Sequence, residues 1–153
     1  RIGDVTMSDT YKIGSTDLST VFTVITEVQG AVAVPTPVQD DYVIPGKAGA
    51  TAAPKQVAPR TITFQGIVEG TGSTPSARRD DVLAKLKTLG DLVYNSGSTF
   101  TLTRTIGTTA ATATARYLGG LETVGWEAPH IARVSVDLRM MDGFWTQSGN
   151  PVL

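Results

Sequence analysis

Apolar and polar positions alternate most cleanly over Ile131 to Met141, where Ala132, Val134, Val136, Leu138 and Met140 share one parity and Arg133, Ser135, Asp137 and Arg139 the other. A period of two sends successive side chains to opposite faces of a strand, so this segment is predicted to be a strand with one buried face and one wet face. Arg60 to Glu69 alternates as well, with Ile62, Phe64 and Val68 opposed to Thr61, Thr63 and Gln65, although Ile67 breaks the polar face. Thr99 to Ile106 sets Phe100, Leu102 and Ile106 against Thr99, Thr101, Thr103 and Thr105, and Thr112 to Leu118 sets Ala113, Ala115 and Tyr117 against Thr112, Thr114 and Arg116. The pair predicts a hairpin turning near Gly107-Thr108-Thr109. A further strand is expected from Leu121 toward Trp126, turning before Pro129 and returning as the Ile131 strand, which would make a meander.

One segment changes period. Val82, Leu86, Leu89 and Val93 recur at four, three and four residues, widened by Leu83 and Leu92, which predicts an amphipathic helix over about 76–94. Thr74, Pro75 and Ser76 suit its cap and first turn, Asp80 and Asp81 suit the positive end of its dipole, and Asn95 and Gly97 stop it. Its apolar stripe is expected to dock on the apolar face of the sheet.

The first third is less regular. Leu18 to Val28 carries Leu18, Val21, Phe22, Val24, Ile25 and Val28, and its Thr and Val content assigns it to a strand. From Gly30 to Pro59 the prolines at 35, 37, 45, 54 and 59 discourage any long regular element. This stretch reads as a long loop (30–59) with one short strand, Tyr42-Val43-Ile44, and an exposed segment from Gly46 to Ala58. Long loops within a compact domain are commonly functional or ordered by a partner, and an assembly contact is the natural expectation.

Composition sharpens this picture. About one residue in seven is threonine, a β-branched side chain that favours strands. The expected fold class is mainly β (α+β): an antiparallel β-sandwich or split barrel with one flanking amphipathic helix. At 153 residues the size fits one domain, residues 18–145, between an N-terminal arm (1–17) and a C-terminal tail (146–153). Thirteen basic against fourteen acidic side chains leave a net charge of −1, which argues against a basic nucleic-acid binder. No apolar run approaches the roughly 18 residues of a membrane span, so no membrane partner is expected, and Arg1 to Thr10 lacks the apolar segment of a secretory signal.

Candidate chemistry is sparse. The chain has no cysteine and one histidine, so thiolate metal sites, a cysteine nucleophile and multi-histidine metal centres within one chain are excluded. His130, with Glu127 three residues before it, has the residue types of a base held by a carboxylate; a histidine in a surface turn is the plainer reading. The pairs Asp40-Asp41 and Asp80-Asp81 suggest a metal or two-carboxylate site, but adjacent residues diverge on a helix or strand, which favours capping and solvation. Gly70-Thr71-Gly72-Ser73-Thr74 precedes the helix as a phosphate cradle would, yet no P-loop lysine follows it. Arg78 and Arg79 suggest a ring or partner contact, or simply a solvated face. Phe144 and Trp145 offer stacking faces for a sugar or base, against which stands the better expectation that they close the edge of the core. The chain is thus read as no enzyme, with no catalytic, cofactor-binding or metal residue and no cofactor.

Several segments, taken in order, resemble the N-terminal domain of the distal tail protein family of long-tailed, non-contractile bacteriophages, also described as minor tail or phage tail family proteins. They are Val43-Ile44-Pro45-Gly46-Lys47-Ala48-Gly49, Pro59 to Gly66, the helix with Leu83, Leu86 and Leu89, and the closing run Arg133 to Trp145 with its aromatic pair. The resemblance runs from about Leu18 to Trp145. It implies a virion protein at the distal end of the tail, six copies forming a ring that joins the tube to the tip or baseplate hub. Its implied partners are further copies of itself, the tail tube protein, the tail tip hub protein and the tape measure protein, with DNA only as cargo through the channel. Many family members carry a second, often carbohydrate-binding, domain after the aromatic pair. Only Gln147 to Leu153 follow it here, so direct receptor binding is not expected of this segment.

Three other readings compete. A tail tube subunit would form similar rings but stack them indefinitely. A carbohydrate-binding module would use Trp145, Trp126 and Tyr117 as stacking faces. A hydrolase would centre on His130.

Overall fold

The computed structural model describes residues 9–32, 37–38, 43–50, 56–94, 97–122, 124–148 and 150–152. Its strands, in chain order, are β1 (Thr10–Ile13), β2 (Thr16–Asp17), β3 (Val24–Gln29), β4 (Pro37–Val38), β5 (Gln56–Val57) and β6 (Arg60–Glu69). After the helix α1 (Pro75–Tyr94) come β7 (Phe100–Ile106), β8 (Thr109–Gly119), β9 (Gly125–Ala128), β10 (Ile131–Met140), β11 (Trp145–Gln147) and β12 (Asn150–Val152).

The alternation read from the sequence builds the centre. β10 pairs antiparallel with β6 over its whole length, from Ile131 opposite Glu69 to Met140 opposite Arg60. Ala132, Val134, Val136, Leu138 and Met140 are buried together with Ile62, Phe64 and Val68. Apart from Ala132, each of these side chains contributes about 1.5–3 kcal/mol by leaving water, before the entropy of ordering is subtracted. The predicted hairpin is β7–β8, turning at 107–108 and extended by the pairing of Ile106 with Thr109.

The main sheet runs β2-β1-β7-β8-β10-β6-β3. It curls strongly: Tyr11 of β1 meets Phe64 of β6 edge to face, ring centroids 4.9 Å apart at 76°, although three strands separate β1 from β6 in the sheet. Asp9 and Tyr11 also share a cavity of about 400 Å³ with Ile25 and Val28 of the opposite edge strand β3. The sheet stays open in its strand order while its curl brings the two edges near one another, and the expected mainly β (α+β) class with one flanking helix stands. α1 covers its concave face with Val82, Leu89 and Val93. Thr74 Oγ1 accepts from the Ala77 amide at 3.2 Å, and Pro75 opens the helix, the capping the sequence announced.

Several expectations are corrected. Leu18–Thr20 is a single 3₁₀ turn, because Asp17 accepts from the Ser19 amide at 2.9 Å and Leu18, Val21 and Phe22 all turn into the core, a spacing no strand permits; only from Val24 does a strand follow. Only half of the expected meander forms: β9, which begins at Gly125 after a turn at Leu121 and Glu122, does return as β10 and pairs with its first three residues, but β8 pairs with the last four residues of β10 instead of with β9. Part of the expected arm belongs to the sheet, since β1 pairs with β7 and buries Tyr11 and Ile13. The tail folds back as the β11–β12 hairpin. In the long loop, Val43 and Ile44 are not in a strand and Tyr42 lies outside the described residues; the pairing is between β4 and β5 instead. Leu83, assigned to the helix's apolar stripe, is exposed.

Candidate assembly surfaces

The residues singled out for chemistry do not converge. His130 sits in the turn between β9 and β10, where its carbonyl accepts from the Gly70 amide at 2.9 Å. Glu127 is engaged by Arg133. Asp81 accepts from both the amide and hydroxyl of Thr71, at 2.8 and 3.1 Å, and pairs with Lys85 at 3.1 Å. These bonds, the Thr71 amide first, hold its carboxyl below the usual carboxylate range. The Gly70–Thr74 loop thus has an amide already committed to an acidic side chain, and the Ala77 amide is taken by Thr74. Asp80 is exposed. Asp40 and Asp41 lie outside the described residues. Among those residues no three acidic or imidazole groups are placed to hold a metal ion.

The basic and aromatic candidates pack against the fold. Arg78 Nε donates to the Gly72 carbonyl at 3.1 Å. Arg79 donates to the Pro129 carbonyl at 3.1 Å and lies 3.8 Å over the Trp126 indole, so it packs on the chain's own β9 and β9–β10 turn. Of the three proposed stacking faces, Trp145 is fully buried. Tyr117 is half-buried and tilted against Tyr94 at 4.9 Å, its hydroxyl accepting from the Leu121 amide and donating to Glu122; burial foremost pushes it up to about 12. Trp126 alone stays open, at 40% exposure.

A polar node within the core escaped the sequence reading. The carbonyl of Ala31 accepts from Trp145 Nε1 at 2.7 Å and from Arg104 Nη1 at 3.1 Å, and Arg60 Nη2 reaches it at 3.5 Å. Arg104 is 6% exposed and lies 4.9 Å from the Trp145 ring. Burial first, and the neighbouring Arg104 charge second, lower the pKa of Arg60. The signal was present: residue 104 shares parity with Phe100 and Leu102, so an arginine there had to point inward.

This node fixes where the long loop leaves the core. Gly30, at φ +77°, lies so close to β6 that a Cβ would run into the Thr61 carbonyl oxygen. Where the chain returns, Gly143, at φ +70°, packs on Val57 and Ala58, and a Cβ there would stand 2.8 Å from the Ala58 carbonyl oxygen. Both glycines permit backbone conformations and approaches closed to other residues. Between these clamps, β4 and β5 pair, and residues 43–50 are exposed throughout, with Val43 at 71% and Ile44 at 42%. The Lys47 amide closes the turn on the Ile44 carbonyl at 3.1 Å. The arrangement is an arm with clamped ends and an apolar tip.

On another face, a groove of about 260 Å³ lies between the second half of α1 and the turn after β8, lined by Leu86, Gly90, Tyr94, Leu121, Glu122 and Val124. Its one charged lining group, Glu122, accepts from the Gly120 amide at 2.6 Å. Bonds from its own amide and that of Gly120 hold its carboxyl below the ordinary range.

No sequence family and no curated protein matches the chain. Solved structures do. The Dit protein of phage SPP1, described as a paradigm of the hub adsorption apparatus in phages infecting Gram-positive bacteria, superposes with a TM-score of 0.65 at 19% identity, over 92% of this chain and 52% of that one. A chain of the phage p2 baseplate in its activated conformation with Sr gives 0.64 at 11% identity, over 90% and 45%. The cap that terminates the tube of the anti-feeding prophage gives 0.54 at 13% identity, over 89% and 85%. The chain spans about half the length of the first two. Its curled sheet with one covering helix is therefore the fold found in a phage Dit hub protein, a baseplate chain and a tube-terminating cap.

Proposed function

We propose that this chain is a structural subunit of a phage tail, assembling as a hexameric ring that joins the tail tube to the tip or baseplate hub and leaves a passage for DNA. The observation that carries the reading is the shared fold with the SPP1 Dit protein over 92% of the chain. Two features support it. The arm tip and the helix groove are different surfaces on one subunit, and closed rings need such unlike, complementary faces. A net charge of −1 suits a passage that must release its cargo, because dense phosphate contacts would retain DNA. Its partners in this reading are further copies of the chain, the tube protein, the hub protein and the tape measure protein, at the distal end of the tail.

A second reading rests on the likeness to the anti-feeding prophage cap, of which the chain covers 85%: a ring that closes the end of a tube. Negative-stain images of the purified chain test both against a tube subunit. Discrete rings with a central hole are expected; tubes that lengthen with concentration would replace the adaptor by a tube subunit, and a persistent monomer would end all three readings. Gold-labelled antibody on virions then separates adaptor from cap, the adaptor marking the junction of tube and tip.

A further inference from the structure

The arm tip exposes apolar side chains to water in one copy of the chain, while the groove beside α1 stands open in the same copy. Two adjacent apolar side chains in the open, Val43 and Ile44, would gain by leaving water on docking. Within the tip the turn is already closed by the bond from the Lys47 amide to the Ile44 carbonyl, which lessens the ordering that docking must impose there. The groove has a notch at its centre, because a Cβ on Gly90 would meet nothing within 4 Å.

Charge selects the match. Lys47 is the one charged residue of the segment 43–50, and Glu122 is the one charged residue lining the groove. The nearby helix charges Lys87 and Asp91 pair with each other at 2.6 Å. The groove therefore presents a carboxylate held by the Gly120 amide and the Tyr117 hydroxyl to a tip that brings a single ammonium, and opposite charges across an interface fix partner and register.

We propose that the Val43–Ile44 tip of one copy seats in the Leu86–Gly90–Tyr94–Leu121–Val124 groove of the next, with Lys47 facing Glu122. This rests on the ring reading and names the contact that builds the ring. The interface is heterologous, tip to groove, so each docked copy leaves a free groove and a free tip, the kind of contact from which a cyclic ring is built when its rotation closes.

The chain has no cysteine, so Ile44→Cys and Gly90→Cys report on this contact alone. With a short bis-maleimide, the double variant is expected to give a ladder on a denaturing gel, from dimer up to the closed oligomer. The two single variants mixed should stop at dimers, and neither alone should cross-link. Light scattering that shows an assembled oligomer with no cross-link between positions 44 and 90 overturns the tip-in-groove contact and leaves the ring reading standing. A monomer by light scattering overturns both, and cross-linking by Ile44→Cys alone replaces the contact with a symmetric tip-to-tip one. Gly90→Leu gives an independent readout: it favours the helix and fills the notch, so the variant should melt no lower than the parent yet assemble at least tenfold more weakly. Unchanged assembly of that variant contradicts the proposal.

Discussion

Trp145 Nε1 donates to the Ala31 carbonyl at 2.7 Å across 114 residues of chain, and this bond ties β11 to the point where the arm leaves the core. The indole fills the core edge while its one polar atom finds the partner a buried N–H requires. Arg104 supplies a second bond to the same oxygen and lies over the indole. Trp145→Phe keeps most of the ring and removes the donor, so it should cost about 1 kcal/mol for the bond plus a smaller packing loss. Trp145→Ala should cost about 3–5 kcal/mol. Urea denaturation of both variants, with Arg104→Met alone and combined with Trp145→Phe, checks this. Strictly additive losses would show that Arg104 and Trp145 act independently at this node.

The entry of the arm gives a cleaner comparison. Gly30 and Gly14 both have positive φ, +77° and +60°, but a Cβ at Gly14 meets nothing within 4 Å, whereas at Gly30 it meets the Thr61 carbonyl. Alanine at 14 should carry only the conformational cost, roughly 1 kcal/mol. Alanine at 30 must also push β3 away from β6 and should lose more, on the order of 1–3 kcal/mol beyond that. Equal denaturation midpoints for the two variants would remove the close approach as a cause.

How far the sequence carried follows from this contrast. β6, β10, the β7–β8 hairpin and α1 are set by side chains a few residues apart, and their alternation or four-three spacing shows on inspection. What decides the rest is remote. Nothing near Ala31 announces that Trp145 will bond to it, and nothing in Leu18 to Val28 shows that Asp17 will cap a 3₁₀ turn. The β4–β5 pair lies in a proline-rich stretch where propensity argues against strands. The turn at Leu121 and Glu122 depends on the Tyr117 hydroxyl receiving the Leu121 amide, a contact that exists only once β8 is placed. Of the candidate site, the long loop was legible and Gly46 onward was read as exposed, but Val43 and Ile44 were read as a strand because they are apolar and β-branched; the groove was not legible, because α1 and the turn after β8 meet only in the folded sheet.

Titration should separate the tyrosines. Burial pushes Tyr11 and Tyr117 each up to about 12 from an ordinary 10.0, Tyr11 helped by the nearby Asp9 carboxylate. A folded-state pKa raised in this way contributes stability that is whole below pH 10 and disappears as pH rises toward 12. Ultraviolet titration of the folded chain should therefore show Tyr11 and Tyr117 ionising late, followed by alkaline unfolding. Tyr11→Phe should remove one late ionisation. Four tyrosines titrating together near pH 10 in a chain that is still folded would contradict the burial of these two.

At the acid end the sign reverses. Asp81 is depressed below its ordinary carboxylate value by the Thr71 amide first and by Lys85 next, so it holds the loop before α1 above the unfolded pKa and releases it as pH falls through the folded one. Amide exchange at Thr71, followed below pH 4 with the intrinsic acid dependence removed, should accelerate in the parent chain. In Asp81→Asn it should be fast at every pH. Parallel profiles for the two proteins would assign the loop's order to something other than this carboxylate.

The two tryptophans are placed to report on opposite parts of the molecule. Trp145 is fully buried, whereas Trp126 is 40% exposed with Arg79 over its ring. Acrylamide should therefore quench one population readily and the other hardly at all, and Trp126→Phe should leave a single blue-shifted, quencher-resistant emission. Arg79→Ala removes the guanidinium from the indole face and its bond to the Pro129 carbonyl. The cation–π part should cost about 0.5–1 kcal/mol at this exposed site, and the accessible population should quench faster without any change in the buried one. A change in the Trp145 signal instead would mean that Arg79 supports the core, and the helix start and the β9–β10 turn would then have to be treated as one structural unit.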